Sequence, residues 1–237
     1  MVDPPQPVHG AAWGWHFLPE DRRLTHGDGR AVTVGQTLTC PLATMAGAGL
    51  HASPRALDAL SCAPGPVVCW VKLSGTVYGD ATRLVATERT VLAMADATAV
   101  LHRVAVDWAR ELLDGLGEID PRCVRALRTK VRWVDGAVDD DALTSAWAGA
   151  WEAASEAREA ATWSTLQAVA HASSPGTAVQ CAVDTHEEAT VALRTRRAVN
   201  TAEQIDPAGD FGDSLETRLR ELLGLQGSAP KLQFKAG

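Results

Sequence analysis

Leu84-Val85-Ala86-Thr87-Glu88-Arg89-Thr90-Val91-Leu92 reads as a β-strand, and the next apolar positions, Leu101, Val104, Ala105, Trp108 and Leu112, recur at intervals of three and four opposite Arg103, Asp107, Arg110 and Glu111. Between these two segments the hydrophobic period changes from that of a strand to that of an amphipathic helix. Upstream of the change the chain reads as strands with one short helix, and downstream of it as helices. A run of strands and then a run of helices predicts an α+β protein, not a doubly wound parallel sheet. The expected organisation is a mostly antiparallel sheet domain over residues 11–95, a helical bundle over 96–225, and flexible tails at 1–10 and 226–237.

Within the strand region, Val67-Val68-Cys69-Trp70-Val71-Lys72-Leu73 is the clearest strand; its β-branched content and apolar density on both faces predict an interior position. Gly75 to Thr82 reads as a turn. Gly49 to Leu60 reads as a glycine-loosened turn entering a short helix, with Ser53 as N-cap, Pro54 as first helical residue and Leu57 and Leu60 as the buried stripe. The free N–H groups of such a helix start suit an anion or a phosphate. Ala31 to Cys40 is strand-like, His26-Gly27-Asp28-Gly29 is turn chemistry, and Ala11 to Leu18 forms a first strand, with Trp13, Trp15 and Phe17 on one face and His16 on the other.

In the helical region, a first helix stops near Gly115 and a second runs from Asp120-Pro121 to Trp133. A long alanine-rich third spans 140–172 and a fourth 177–199. Asp206 to Gly212 reads as a loop, and a last helix opens at Asp213 and Glu216 with a capping-box pattern.

Composition narrows the function classes. Five cysteines at irregular spacing, with no CxxC pair, indicate reduced thiols and a cytoplasmic setting and argue against zinc. The formal charge of -7 gives no global attraction to nucleic acid. No apolar run approaches the length of a membrane span, and the N-terminus carries no signal peptide pattern. Serine-hydrolase, zincin, P-loop and dinucleotide fingerprints are missing. Arg122, Arg125, Arg128 and Arg132 form a basic series that reads first as a solvated helix face and second as a surface for an acidic partner or a nucleic-acid backbone. Trp147 and Trp151 read as core or a helix-pairing seam, and Cys40 and Cys69 as small buried hydrophobes.

Glu88 is the leading candidate for chemistry, because a carboxylate in an apolar strand needs a cleft, a ligand or a partner such as Arg22, Arg55 or Arg89. His51 precedes the short helix and could touch a phosphate or ribose hydroxyl, or simply staple its turn. His16 stands among Trp and Phe, as a core histidine or a ligand contact.

Trp15-His16-Phe17-Leu18, Gly27-Asp28-Gly29-Arg30, Val34-Gly35-Gln36-Thr37, Gly49-Leu50-His51-Ala52-Ser53, Val67-Val68-Cys69 and Leu84-Val85-Ala86-Thr87-Glu88-Arg89 together resemble an uncharacterised domain family common in phages, prophages and bacteria, over about residues 13–110. This implies phage or mobile-element biology and no assigned activity. Arg132-Trp133-Val134-Asp135-Gly136 and the helix after it are similar in composition to the tails of immunity proteins. A remoter resemblance is to the ADP-ribosyltransferase fold, through His16, His51 and Glu88 in that order. It implies an enzyme that consumes NAD, with His16, His51, Ser53 and Arg55 binding the cofactor and Glu88 as the catalytic residue steadying an oxocarbenium-like charge. No metal is expected, and on this resemblance the acceptor would be a protein, a nucleic acid or a small molecule. The alternative expectation is a non-catalytic phage-encoded binding protein, an inhibitor of host defence or a virion accessory, acting through its helical surface. Oligomeric state is open on either reading.

Overall fold

A computed structural model describes residues 6–8, 10–25, 29–45, 47–199 and 207–226. Over these residues the chain is α+β: a six-stranded antiparallel sheet in the N-terminal half and seven helices, mostly C-terminal. The strands are β1 (Gln6–Pro7), β2 (Ala12–Leu18), β3 (Thr37–Thr39), β4 (Leu50–Ala52), β5 (Val67–Gly79) and β6 (Leu84–Asp96). The helices are α1 (Ala56–Leu60), α2 (Thr98–Asp114), α3 (Pro121–Val134), α4 (Asp140–Glu156), α5 (Ala160–Ser173), α6 (Ala178–Val199) and α7 (Pro207–Leu222). Two compact units result: the described residues up to Ala97 with those from Leu215 onward, and Thr98–Ser214.

In the first unit β5 and β6 form a long hairpin. Its turn is narrower than the glycines at 75 and 79 suggest. Asp80 closes it by accepting at one carboxylate oxygen from Thr82 N, Thr82 Oγ1 and Arg83 N, each at 2.8 Å. Gly75 sits instead in a bulge between Ser74 and Val77, at φ +73°, and both strands run on past it. β1 and β2 pair along the outer edge of β5, and β3 and β4 along the outer edge of β6. Gln6 and Pro7, expected in a tail, thus lie opposite Gly79 and Tyr78. The strand expected over 31–40 is confined to Thr37–Thr39, because Thr33 and Gln36 close a turn before it. His26-Gly27-Asp28 and residues 227–237 lie outside the described residues.

The two outer edges meet. Trp15 N donates to Ser53 O at 2.8 Å and Ser53 N to Trp15 O at 2.9 Å, so β4 joins β2 and the strands β5–β6–β4–β2 close into a ring. Gly14 permits the approach: a Cβ there would stand 2.7 Å from Ser53 O and 3.2 Å from Ala52 Cβ. Leu18, Leu38, Leu50, Val67, Cys69, Val71, Leu73, Leu84 and Val91 belong to one apolar cluster. Trp15 and Trp70 meet edge to face at 4.9 Å, and Arg220 stacks on Trp70. Because Ser53 spends its backbone on Trp15, it is not the N-cap of α1; Arg55 holds that place, without a side-chain cap bond.

In the second unit α2 buries side chains around most of its circumference, as the central helix of a bundle does. α3 starts on Asp120 and Pro121 as its sequence signals, with Asp120 accepting from Arg122 N. The single helix expected over 140–172 is two, α4 and α5, because Ala157 and Glu159 adopt extended backbone and let α5 pack on α4. An unbroken helix of that length would span about 50 Å, too long for its neighbours to cover. α7 begins at Pro207, so Asp213 lies inside it and not at its start; Phe211 packs against Trp108 and His186. No described helix is long and apolar enough to cross a membrane.

The buried stripe of α3 is Cys123, Ala126, Leu127 and Lys130, so a lysine occupies a core position. Its Nζ donates to Ser174 O at 2.6 Å and lies 4.3 Å from the centre of the Trp133 ring. Burial lowers its pKa to about 8.

Both packings are open to measurement. Gly14→Ala should cost about 1–3 kcal/mol in chemical denaturation through overpacking, while Gly47→Ala, with open space around it, should stay within about 0.5 kcal/mol. For Lys130, the unfolded chain holds the proton up to about pH 10.4 and the folded one releases it from about pH 8. Stability should therefore rise with pH across that window, and Lys130→Met should abolish the rise.

Candidate functional site

β6 is regular around Glu88 and Arg89: Thr39 and Ser74 lie opposite Glu88, and Leu38 and Leu73 opposite Arg89. Consecutive strand residues point to opposite faces, so these two side chains part company at the sheet. Glu88 is half-buried, and its Oε2 accepts from Ser74 Oγ at 2.8 Å; no arginine pairs with it among the described residues. Arg89 turns to the face that carries Leu73, Val71 and Cys69, where His16 stands opposite Cys69.

Arg89 is 2 % exposed, the more unusual because the arginine is a long cation in a strand. Its Nη1 donates to His51 O at 2.7 Å. The location of that bond is informative. The rung from Trp15 to Ser53, continued along both antiparallel strands, would set Phe17 opposite His51, but the ladder stops after one rung. The His51 carbonyl takes the guanidinium instead, so Arg89 reaches into the seam where β2 and β4 diverge. Its other two nitrogens, Nε and Nη2, are buried with no hydrogen-bond partner among the described residues.

Nε and Nη2 make up one edge of the guanidinium, the edge that grips two parallel oxygens. In Arg55 and Arg122 that edge is filled. Arg55 places Nε and Nη2 at 2.7 and 2.9 Å from the carboxylate oxygens of Asp58, and Arg122 holds Asp120 the same way while Nη1 and Nη2 reach Glu156.

The electrostatics are one-sided. Burial, then the charges of Arg89 and His51, hold the His16 imidazole well below its usual range, although part of the residue reaches solvent. Burial pushes the Cys69 thiol up to about 12 against the charges of Arg89 and Arg22. Burial lowers Arg89 itself to about 10, with the Cys69 and Cys40 thiols raising it and Arg30 lowering it. Among the described residues, no carboxylate is a leading contributor to these three shifts. Arg22 has a left-handed backbone, φ 57°, the one non-glycine residue so placed among those described.

The structure thus brings His16 and His51 to one neighbourhood and adds Arg89, which the sequence marks only as a salt-bridge partner for Glu88. Glu88 is turned to the other face. Ser53 contributes its backbone to the seam, and Arg55, 57 % exposed, is engaged by Asp58. His51 Nε2 lies 3.3 Å from Gly47 O, the stapling contact expected as its plainer role. α1 has five residues and Arg55 at its N-cap, too short for the anion-binding helix start expected there. No cluster of three or more His, Cys, Asp or Glu with metal-binding geometry occurs among the described residues. The basic series on α3 divides: Arg122 is tied to Asp120 and Glu156, and Arg125, Arg128 and Arg132 are exposed.

Replacing Arg89 by Met should remove an unsatisfied buried charge at the loss of one bond to His51 O. The unfolding free energy is expected to change by less than about 1 kcal/mol or to rise, and the His16 titration, followed by NMR, should move upward. A loss of several kcal/mol would make Arg89 a structural strut.

No protein-family model, no curated protein and no solved structure matches the chain, and the functional reading stands on the geometry of the seam.

Proposed function

We propose that the sheet unit is a receptor for a small anionic molecule, gripped through two oxygens of one carboxylate or phosphate by the open edge of Arg89. The observation that carries this reading is a guanidinium 2 % exposed whose Nε and Nη2 have no partner among the described residues. An unsatisfied buried charge costs several kcal/mol, and an oxyanion in that place offsets the cost. His51 O already accepts from Arg89 Nη1, and His16 stands on the same face of the sheet. NAD, with its pyrophosphate, belongs to this ligand class. The orientation of Glu88 away from Arg89 gives transfer of an ADP-ribosyl group no support, and the proposal is for binding.

Thermal-shift titration with NAD, pyrophosphate, citrate and acetate tests it. At least one of these should raise the melting temperature in a concentration-dependent way, and Arg89→Met should cancel the shift. Arg89→Lys, which keeps the charge but loses the two-pronged edge, should weaken it at least tenfold. Stabilisation that survives Arg89→Met would refute the reading, as would no response to any of the four.

A further inference from the structure

Ser174 is the C-cap of α5, and its carbonyl oxygen is shared by side chains from two other helices. Lys130 Nζ, on α3, donates to it at 2.6 Å, and Cys181 Sγ, near the start of α6, donates to it at 3.5 Å. Two donors that meet on one oxygen are neighbours of each other. Lys130 is 0 % exposed and Cys181 2 %. We infer that these two residues are a redox-linked pair: on oxidation by a peroxide the Lys130 nitrogen bonds to the Cys181 sulfur as a sulfenamide and joins α3 to α6. The inference concerns the helical unit and is independent of the receptor reading.

The surroundings favour an amine that can act as a nucleophile. Cys123, Ala126 and Leu127 share the buried stripe of α3 with Lys130, and among the described residues no carboxylate pairs with its nitrogen. The other titratable group at this place is His102 on α2, whose ring meets Trp133 edge to face at 5.3 Å while Lys130 Nζ lies 4.3 Å from the centre of the Trp133 ring. Burial, then the Lys130 charge, lowers the His102 imidazole to about 3, so it adds no charge at neutral pH. The same burial lowers Lys130 to about 8. At pH 7.5 about a quarter of the molecules then carry the free amine, against roughly one in a thousand for an ordinary lysine.

The chemistry balances in two steps. The Cys181 thiolate attacks hydrogen peroxide: an S–O bond forms, the O–O bond breaks, and the sulfur is oxidised to a sulfenic acid as the peroxide is reduced to water. The Lys130 amine then attacks that sulfur. An N–S bond forms, the S–O bond breaks, and the departing hydroxide takes one amine proton to leave as a second water. Overall, one amine, one thiol and one peroxide give one sulfenamide and two waters. The first step is the slow one, because burial holds the thiol above its usual range, with the Lys130 charge working against that shift. Access comes from the α5–α6 connection, where Pro175, Gly176 and Thr177 are exposed. Cys181 Sγ also reaches Gly176 O at 3.6 Å, and Gly176 has no side chain to cover the sulfur: a Cβ there would stand 4.0 Å from Sγ.

Peptide mapping after treatment of the full chain with hydrogen peroxide at pH 7.5 tests the link, with acid denaturation before trypsin. Trypsin does not cleave after a lysine whose nitrogen is bonded to sulfur. The oxidised wild type should therefore yield Thr129–Arg132 joined to the peptide that carries Cys181, lighter by two hydrogens than the pair, and dithiothreitol should separate them. Lys130→Met and Cys181→Ala should each abolish the joined species; the wild-type map does not depend on how either variant folds. Exposed Cys62 serves as the internal clock for oxidation. Recovery of Cys181 as sulfinic or sulfonic acid with cleavage after Lys130 intact would overturn the inference. So would a disulfide from Cys181 to another cysteine, or a Cys181 thiol still unmodified once Cys62 is fully oxidised.

Discussion

One backbone rung, Trp15 to Ser53, turns the sheet unit from an open stack of strands into a ring. Without it β4 would be an edge strand of three residues beside β6, and the interior facing Leu73 and Cys69 would lie open. With it the interior is enclosed by paired strands, and a polar group buried inside must find its partners there. The rung itself depends on Gly14, which leaves room for Ser53 O. It also ends abruptly: the next carbonyl on β4 that could continue it, His51 O, is taken by a side chain. The ring and its buried arginine are therefore one feature, since the guanidinium occupies the place where strand pairing gives out.

The contrast with three cations of the helical unit is instructive. Lys130 has Ser174 O, and Arg196 has Leu112 O and Thr165 Oγ1 at 2.9 Å each. Arg122 has carboxylates on two sides. In each case backbone ends or acids of neighbouring helices meet the cation, because helix termini supply free carbonyls. A closed ring of strands has few such free groups; its carbonyls are spent on ladders. That difference explains why these three cations are met by partners in the helical unit while Arg89 keeps an open edge in the sheet unit.

Much of this architecture is legible in the chain, for physical reasons that differ by element. β5 and β6 announce themselves through β-branched residues and apolar density, and α3 through Asp120-Pro121 and a clean stripe. β4 is hidden because Gly49 and Ser53-Pro54 are turn chemistry on either side of a three-residue strand, and turn residues outweigh so short a run. The break between α4 and α5 carries no glycine or proline, and its residues are all tolerated in a helix, so only packing sets it. At the site, Glu88 draws the eye as a charge in an apolar strand while Arg89 does not, since arginine ordinarily lays its stem along apolar surface and keeps its head in water. The signal that points to Arg89 is parity: by alternation it falls with Val85, Thr87 and Val91, not with the glutamate. What no sequence pattern conveys is that β2 and β4 meet for one rung only, and the character of the site stems from that.

The seam has a kinetic side as well. Where β5 and β6 share rungs along nearly their whole length, β2 and β4 share two hydrogen bonds, worth about 1–3 kcal/mol together. Opening that corner is thus far cheaper than unfolding the unit, and it belongs to the class of local fluctuations that interconvert much faster than global denaturation. A solute bound for the interior would enter during such excursions, so its association would run well below the diffusion limit and its residence would be long. The single rung makes the junction between β2 and β4 the most lightly paired side of the ring.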